Sequence, residues 1–463
     1  MRLSRPSSLV LTGLLLAGTI GTFARGWGFT DFTPLASSAG PTVDESAPIT
    51  FGNSGFQQLS IADRRSQQAL LIPNSGNWDM ITLNENGPDA GRYLFTVFET
   101  GESGVQRTDL MTGKTETIWQ GMGAPGYRSF DASYWTPWGT FITAEESWAT
   151  ASAGSTSPYG RLFEFRNPTQ APGIYTPLTS FSNEGADFVH RNVIPRTSHE
   201  GIQFDRDLNM YFIDELNGGN VYKYVSKANK FDVLRGKADY FAAGQTFVLR
   251  VGDGQTPNAT GAYTWVPFTT ESGDALPGAL TITDTNGVTS VDARNTTNLP
   301  AFKGTDYQRP EDLQVKKTPA GEVMFMATTT TNEVYRLDLS RQVITVFANR
   351  DTIDLATGAA VGSALASPDN LAIDHQGFIY VIEDRNGGTD DDIWFAADLN
   401  HDGDLLDEGE GLARWASNGT PGSEFTGLYF HPKNPTRAWV NIQHPSSGND
   451  RLIEITVQTD EQF

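Results

Sequence analysis

The sequence contains no cysteine, which excludes disulfide bonds, thiolate metal sites and a cysteine nucleophile. Any metal ligand must therefore be an oxygen or nitrogen atom. Histidine is also scarce, and six histidines in 463 residues make a histidine-rich zinc or dinuclear site difficult to assemble. Neither a GxSxG nucleophile elbow nor an HExxH zinc motif occurs, so both of these hydrolase patterns are excluded.

Positive charge and long apolar stretches are both in short supply. There are 33 lysines and arginines against 55 aspartates and glutamates, giving a formal net charge of −22. Nucleic acid is therefore not an expected partner. Long apolar helical patterns are hard to find after residue 30, while 47 glycines, 24 prolines and 11% aromatic residues suit many turns and sheet packing. These features predict an all-β protein. We expect it to be a monomer.

The first 25 residues differ from the rest of the chain. Arg2 and Arg5 precede the apolar run LVLTGLLLAGTIGTFA, which ends in small residues, as in a secretory signal peptide. The run is shorter than a spanning helix of about 20 residues, so an uncleaved anchor is the weaker alternative and no stable membrane span is expected after removal. The pattern predicts a periplasmic or extracellular protein.

One repeated outline organises the rest of the chain. In residues 367–394, the strands LAID and FIYVI are joined by a turn and followed by a third strand, with acidic or amide residues at both ends of the pair. The same outline recurs in five other segments: 92–110, 129–165, 198–226, 309–340 and 424–455. Meanders of this kind bury their faces by stacking, and we expect a six-bladed β-propeller.

This interpretation divides the chain into a signal peptide (1–25), an extended lead-in (26–88) and a propeller domain (89–463) with an insertion at 227–308. The first strand of each blade lines the channel of a propeller. We therefore expect Glu200, Glu311, Asn370 and Glu424 to project towards one axis, where cations would offset their mutual repulsion.

A second cation signal lies in the acidic loop DLNHDGDLLDEGE, residues 398–410. Asp398, Asn400 and Asp402 at alternate positions, followed by Gly403, match the first half of an EF-hand calcium loop. The twelfth position is glycine instead of glutamate, so Glu408 or Glu410 would supply the late ligand. The alternative is a solvated acidic turn.

Three further sets of residues could carry chemistry. Arg309, in the run RPED, suits bidentate recognition of phosphate or carboxylate, and an ion pair with Glu311 is the competing interpretation. The pair Glu145 and Glu146 follows a second strand, although most such pairs are solvated. His199 is expected to form part of a wall next to Glu200.

Five motifs in order resemble the PhoX-type alkaline phosphatases over most of residues 90–445: TPWGTFITAEES, RTSHE, RPED, SPDN, and EFTGLYFHP leading to VNIQHP. The resemblance implies a six-bladed propeller that hydrolyses phosphate monoesters at an iron and calcium cluster in its channel. By motif, it implies metal ligation by Glu145, Glu200, Glu311 and either Asp369 or Asn370. It also implies that Arg309 holds the phosphate.

The chain departs from the family pattern at Ala144, which replaces a cysteine iron ligand. This argues against an iron centre of the family's kind, and an iron site completed by water or carboxylate is the alternative to calcium, which needs only oxygen ligands. The leading interpretation is an exported metal-dependent phosphomonoesterase acting on small phosphate esters. The alternatives are a calcium-dependent lactonase or esterase propeller and a non-catalytic calcium-binding surface propeller.

Overall fold

The computed structural model describes residues 28–42, 44–53, 55–122, 126–148, 157–177, 183–284, 286–385 and 391–458. The segment predicted as a signal peptide lies outside these residues. Two strands and a short helix precede the first blade: β1 (Ile49–Phe51), β2 (Phe56–Asp63) and α1 (Arg64–Ala69). Asp63 caps α1 by accepting the backbone N–H of Ser66.

Antiparallel strands form the first three blades, in which consecutive strands pair outwards from the channel. Blade one comprises β3 (Trp78–Leu83), β4 (Tyr93–Phe98), β5 (Gly104–Asp109) and β6 (Lys114–Gln120). Blade two comprises β7 (Phe130–Trp135), β8 (Phe141–Glu145), β9 (Leu162–Phe165) and β10 (Phe188–His190). Blade three is built from β11 (Ile202–Phe204), β12 (Met210–Ile213), β14 (Val221–Ser226) and β15 (Gly244–Val251), with the short β13 (Asn217–Gly219) between its second and third strands.

The predicted insertion overlaps the end of blade three, because β15 is its fourth strand. Around and beyond β15 the insertion holds α2 (Lys230–Leu234), β16 (Gly261–Pro267), β17 (Leu280–Thr283), β18 (Thr289–Asp292), a 3-10 helix (Thr296–Asn298) and β19 (Tyr307–Gln308). β16 pairs with β15 on one side and with blade four on the other, which joins two blades into a nine-stranded sheet.

The last three blades follow the same plan. Blade four comprises β20 (Pro310–Thr318), β21 (Gly321–Thr328), β22 (Glu333–Asp338) and β23 (Val343–Ala348). A 3-10 helix (Gly362–Ala364) leads to blade five, which comprises β24 (Pro368–Ile373), β25 (Ile379–Glu383), β26 (Asp392–Ala397) and β27 (Gly411–Asn418). Blade six comprises β28 (Glu424–Phe430), β29 (Arg437–Gln443) and β30 (Arg451–Val457).

The lead-in completes the last two blades. β1 adds a fifth strand to blade five by pairing with β27, and β2 supplies the fourth strand of blade six by pairing with β30. The first blade also starts inside the segment interpreted as the lead-in, since β3 begins at Trp78. The segment interpreted as a lead-in thus supplies strands to blades one, five and six.

The inner strands β3, β7, β11, β20, β24 and β28 pack side by side in a closed ring, the last against the first. Neighbouring inner strands come very close: a β-carbon at Gly427, which has φ +62°, would lie 2.8 Å from the backbone nitrogen of Ile81. Apolar clusters fill the spaces between blades, with Trp78, Trp394, Trp415 and Trp439 fully buried. The predicted all-β propeller is confirmed.

Candidate active site in the propeller channel

A repeated backbone turn precedes the inner strands. The residue before four of these strands has a positive φ, between 44° and 54°: Asn77, Ser129, Arg309 and Ser367. Its carbonyl oxygen accepts the backbone N–H of the residue that follows the second strand, at 2.8–3.0 Å. The four donors are Glu99, Glu146, Thr329 and Asp384. The turn therefore brings the start of the first strand and the end of the second strand together at one end of the channel.

The second residue after each of these positive-φ residues is a carboxylate of the inner strand. A β-bulge interrupts the register at this point in each of the four strands, as between Trp78 and Ile81. A bulge re-aims the side chain at its position, here into the channel. Blade three supplies Glu200 just before β11, and blade six supplies Glu424, the first residue of β28. The inner-strand carboxylates are, with Glu200 included, Asp79, Asp131, Glu200, Glu311, Asp369 and Glu424.

Second-strand ends add Glu99, Glu146, Glu215 and Asp384 to the inner-strand carboxylates. We call these ten residues together the acidic ring. Glu146, Glu200 and Glu215 each present an oxygen within 4.8 Å of the other two. Gln443 connects two other members, donating from Nε2 to Asp79 Oδ2 at 3.0 Å and to Glu99 Oε2 at 3.1 Å. One channel end thus concentrates negative charge from all six blades.

Burial and mutual repulsion raise the pKa values of ring carboxyls. Burial, followed by the charges of Asp384 and Glu146, raises the pKa of Asp79 to about 8. The pKa of Glu311 is also raised to about 8 by burial, although Arg309 opposes the shift. Burial and then Asp131 raise the pKa of Glu200 well above its ordinary value. When these carboxyls are ionised at neutral pH, positive charge must lie between them to offset their mutual repulsion.

The ring fits hard cations by its donor chemistry. Four of its buried carboxylates have an oxygen with no hydrogen-bond partner among the described residues: Asp131 Oδ1, Glu200 Oε2, Glu311 Oε2 and Glu424 Oε2. Buried oxygens are rarely left without a partner, so these atoms are suited to ligate ions. Ala144, at the position of the family cysteine, is fully buried in the apolar cluster with Ala132 and Ile142.

Arg309 is the guanidinium at the ring. Its Nη2 donates to Glu215 Oε1 at 2.6 Å, and its Nε lies 3.1 Å from Glu311 Oε1. Its guanidinium carbon lies 4.9 Å from the centre of the Trp148 ring, and Trp148 Nε1 in turn donates to Glu146. The sequence allowed either anion recognition or an ion pair with Glu311, and the structure shows ion pairs with both Glu311 and Glu215.

Glu145 lies apart from the ring. Its carboxylate is fully buried and accepts from Arg161 Nη2 at 2.6 Å, Arg161 Nε at 2.9 Å, and the backbone N–H groups of Arg161 and Arg128 at 3.0 and 3.2 Å. The carboxylate oxygens of Glu145 are thus engaged in hydrogen bonds with Arg161 and Arg128. The adjacent Glu146 is the member of the pair that reaches Glu200 and Glu215.

Asp369 and Asn370 also divide between two environments. Asp369 belongs to the ring, where the charges of Glu311 and Asp384 add to burial in raising its pKa. The Oδ1 atom of Asn370 accepts the backbone N–H of Gly427 at 2.7 Å, and its Nδ2 donates to Asp369 Oδ1 at 2.8 Å. Asn370 therefore braces two neighbouring inner strands and orients Asp369.

Two histidines near blade ends, His199 and His444, lie in different environments. His199 is fully buried with its ring 5.5 Å from that of Phe212, and burial lowers its pKa to about 3, so it forms a neutral wall. His444 Nε2 lies 2.5 Å from Glu424 Oε1. Its second nitrogen lies 3.1 Å from the carbonyl oxygen of Gly422, which fixes the ring.

The acidic loop is a separate site. Asp398, Asp402 and Glu410 each present an oxygen within 4.8 Å of the others. Asn400 instead accepts the backbone N–H of Asp402 and donates to Asp407 Oδ2 at 2.6 Å. Glu410, one of the two late ligands considered from the sequence, is the one that lies with Asp398.

Sequence reasoning did not single out Asp79, Asp131 or Glu99. The signal was present in the sequence, because WDMI and FDAS repeat the pattern of PEDL and PDNL: a bulky residue or proline, an acid, any residue, and a strand residue. Asp79 fell within the segment interpreted as the lead-in. Asp131 lies in a segment that was interpreted as a blade strand, but no sequence pattern marks the bulge at this position.

Comparison with solved structures gives matches of low sequence identity. Solved structures with a similar course include a virginiamycin B lyase from Staphylococcus aureus (11% identity, 87% of this chain and 99% of that chain, TM-score 0.41). Another is a PQQ-bound aldose sugar dehydrogenase from Streptomyces coelicolor (12% identity, 89% and 100%, TM-score 0.40). Curated protein sequences give no significant match.

The family comparison is more specific. The family model described as alkaline phosphatase PhoX matches residues 132–446, which run from within blade two into blade six and contain Arg309 and most of the acidic ring. The match covers well over half of the chain, and the protein therefore belongs to the PhoX alkaline phosphatase family.

Proposed function

We propose that this protein is an exported metal-dependent phosphomonoesterase that acts on small phosphate esters at the acidic ring. The observation that carries the proposal is the convergence of carboxylates from all six blades, four with unpartnered buried oxygens, around one guanidinium. Family membership supports phosphatase chemistry. Export is proposed from the signal-like residues 1–25, and no helix in the described part of the chain is long and apolar enough to cross a membrane.

The ring residues would hold divalent cations, and calcium is the ion that their chemistry favours. The donors available at this end of the channel are carboxylate oxygens, with amides as orienting groups, and hard cations prefer such ligands. When bound, divalent cations supply Lewis-acid stabilisation of negative charge on a phosphoryl group. Glu146, Glu200 and Glu215 are proposed as one set of ligands, with Glu146 in place of Glu145.

Arg309 would bind the phosphate of the substrate. Nη2 donates to Glu215, and Nε lies within ion-pair distance of Glu311, while Nη1 makes no hydrogen bond within the described residues. Nη1 is thus available to donate to a phosphoryl oxygen. A held guanidinium acts without reorganisation as negative charge develops on the transferring group.

An assay on metal-stripped protein tests the proposal. Hydrolysis of p-nitrophenyl phosphate is measured after chelator treatment, and again after calcium or iron is added back. We expect calcium to restore activity, and we expect Glu200→Gln to reduce both bound calcium and activity because amides are poorer ligands than carboxylates. Glu184→Gln, at an exposed glutamate, is the matched control.

The same assay separates the alternatives. Turnover of lactones with none of phosphate esters would identify a lactonase. Calcium binding without turnover of any ester would identify a binding propeller. Recovery of activity only with iron would overturn the assignment of calcium.

A further inference from the structure

The acidic loop between β26 and β27 lies at the other end of the molecule from the ring. Asn400 and His401 of this loop line a cavity of about 820 Å³, together with inner-strand residues such as Gln203, Gln314 and Tyr429. Gln314 and Tyr429 lie beyond the bulges of their strands, away from the carboxylates of the acidic ring. The loop thus forms part of the rim of the channel end that the proposed phosphatase site does not use.

Two buried carboxylates of this loop have unsatisfied oxygens. Asp398 is 3% exposed and Glu410 is 4% exposed, yet Asp398 Oδ1 and Glu410 Oε2 have no hydrogen-bond partner among the described residues. Neither Asp398 nor Glu410 forms an ion pair with a lysine or arginine within the described residues. Two buried carboxylates close to a third require a cation or two protons.

The spacing of the carboxylates suits a calcium ion. Oxygens of Asp398, Asp402 and Glu410 lie within 4.8 Å of one another. Calcium binds oxygen at about 2.4 Å, so two ligands on opposite sides of one ion are about 4.8 Å apart. Three carboxylates offer three negative charges, and the irregular loop tolerates the flexible coordination of calcium better than the strict octahedron of magnesium.

The rest of the loop orients these ligands. The other Glu410 oxygen, Oε1, accepts the backbone N–H groups of Leu399 and Asn400 at 2.9 and 3.3 Å. Asn400 donates to Asp402 Oδ2 at 3.1 Å. Gly403 has φ +92°, and a β-carbon there would lie 2.2 Å from Arg336 Nε, so only glycine allows this turn. The loop closes around its late ligand at the thirteenth position instead of the twelfth.

We infer that Asp398, Asp402 and Glu410 bind one calcium ion, and that this ion fixes the rim of the cavity opposite the acidic ring. Asn400 is a positioning residue at this site, in contrast to the ligand role expected from the EF-hand pattern. The inference does not depend on the phosphatase activity, because the loop shares no residue with the ring.

Calcium counting on full-length protein tests the site. Protein is stripped with chelator, loaded with calcium, and analysed for bound calcium by elemental analysis. We expect Glu410→Gln to bind one calcium ion fewer per chain than the wild type, and Glu408→Gln, an exposed neighbour in the same loop, to bind the full number. Asp402→Asn, at an exposed position, gives a second variant should Glu410→Gln fold poorly.

Hydrogen–deuterium exchange locates the effect. Calcium should slow exchange in residues 398–410 of the wild type and Glu408→Gln, and should leave exchange there unchanged in Glu410→Gln. Equal calcium content in the wild type, Glu410→Gln and Asp402→Asn would overturn the inference. The inference would also be overturned if calcium did not change hydrogen–deuterium exchange in residues 398–410 of the wild type. Loss of phosphatase activity in every protein, with these results intact, would refute only the proposed function.

Discussion

The adjacent residues Glu145 and Glu146 should respond in opposite ways to the same substitution. Glu145→Gln removes a fully buried carboxylate whose charge is paired with Arg161. Glu146→Gln removes a carboxylate that faces Glu200 and Glu215 across the ring. Both changes replace one oxygen with an amide of the same size, so the comparison isolates the loss of charge.

The magnitude follows from the contacts. Glu145 accepts four hydrogen bonds, including two from the side chain of Arg161, which is 5% exposed. Breaking a buried pair by removing one partner leaves an uncompensated charge and destabilises a protein by about 3–5 kcal/mol. Glu146→Gln instead relieves repulsion on Asp79, Glu99 and Glu215 in the metal-free protein. We therefore expect the stability of the metal-free protein to be unchanged or increased, and its calcium affinity to fall at least about tenfold.

Urea denaturation of chelator-treated protein and calcium titration measure the two effects. Glu145→Gln should lower the free energy of unfolding while the folded fraction keeps its calcium. The assignment fails if Glu145→Gln loses calcium without loss of stability, or if Glu146→Gln is destabilised and keeps its calcium affinity. Either result would indicate that Glu145, and not Glu146, is the metal-binding member of the pair.

Three other expectations can be checked. Because the pKa values of Asp79 and Glu311 are raised to about 8, the folded metal-free protein binds more protons than the unfolded chain. The melting temperature of the metal-free protein should therefore fall as pH rises from about 4 to 8. Added calcium should reverse this fall at pH 8. A metal-free melting temperature that rises over this range would contradict it. Arg309→Lys, which cannot keep the fixed planar fork, should reduce kcat/KM for a phosphate ester by about 100-fold with calcium content unchanged; an equal loss on lactones would argue against phosphate recognition. Asn370→Ala should destabilise the protein by about 1–3 kcal/mol through its lost bond to Gly427 and retain the calcium count, whereas a lost ion would make it a ligand.

The repeated strand pairs and their acidic ends were sufficient to predict the propeller and part of its site. Glu200, Glu311 and Glu424 could be placed near the axis because each stands at the start of a blade's first strand. The recurring hairpin brings the start of one strand and the end of the next to the same side. This reasoning needs only local periodicity and turn residues, which the sequence displays directly.

The rest depended on details that local patterns do not encode. Whether Glu145 or Glu146 enters the channel depends on where β8 ends and on the competing Arg161, which lies 16 residues further along the chain. Whether Asp369 or Asn370 does so depends on a bulge in β24. A shift of one residue exchanges the faces of a strand, so such choices require the register itself.

Strand closure has a consequence for the order of folding events. Phe56 pairs with Val457, about 400 residues away, and β1 pairs with β27. Contacts of such sequence separation form late, because most of the chain must be present before they can begin to form. A nascent chain can build its early blades but leaves the circle open until β30 emerges. Since the acidic ring draws carboxylates from all six blades, its members come together only when the circle closes.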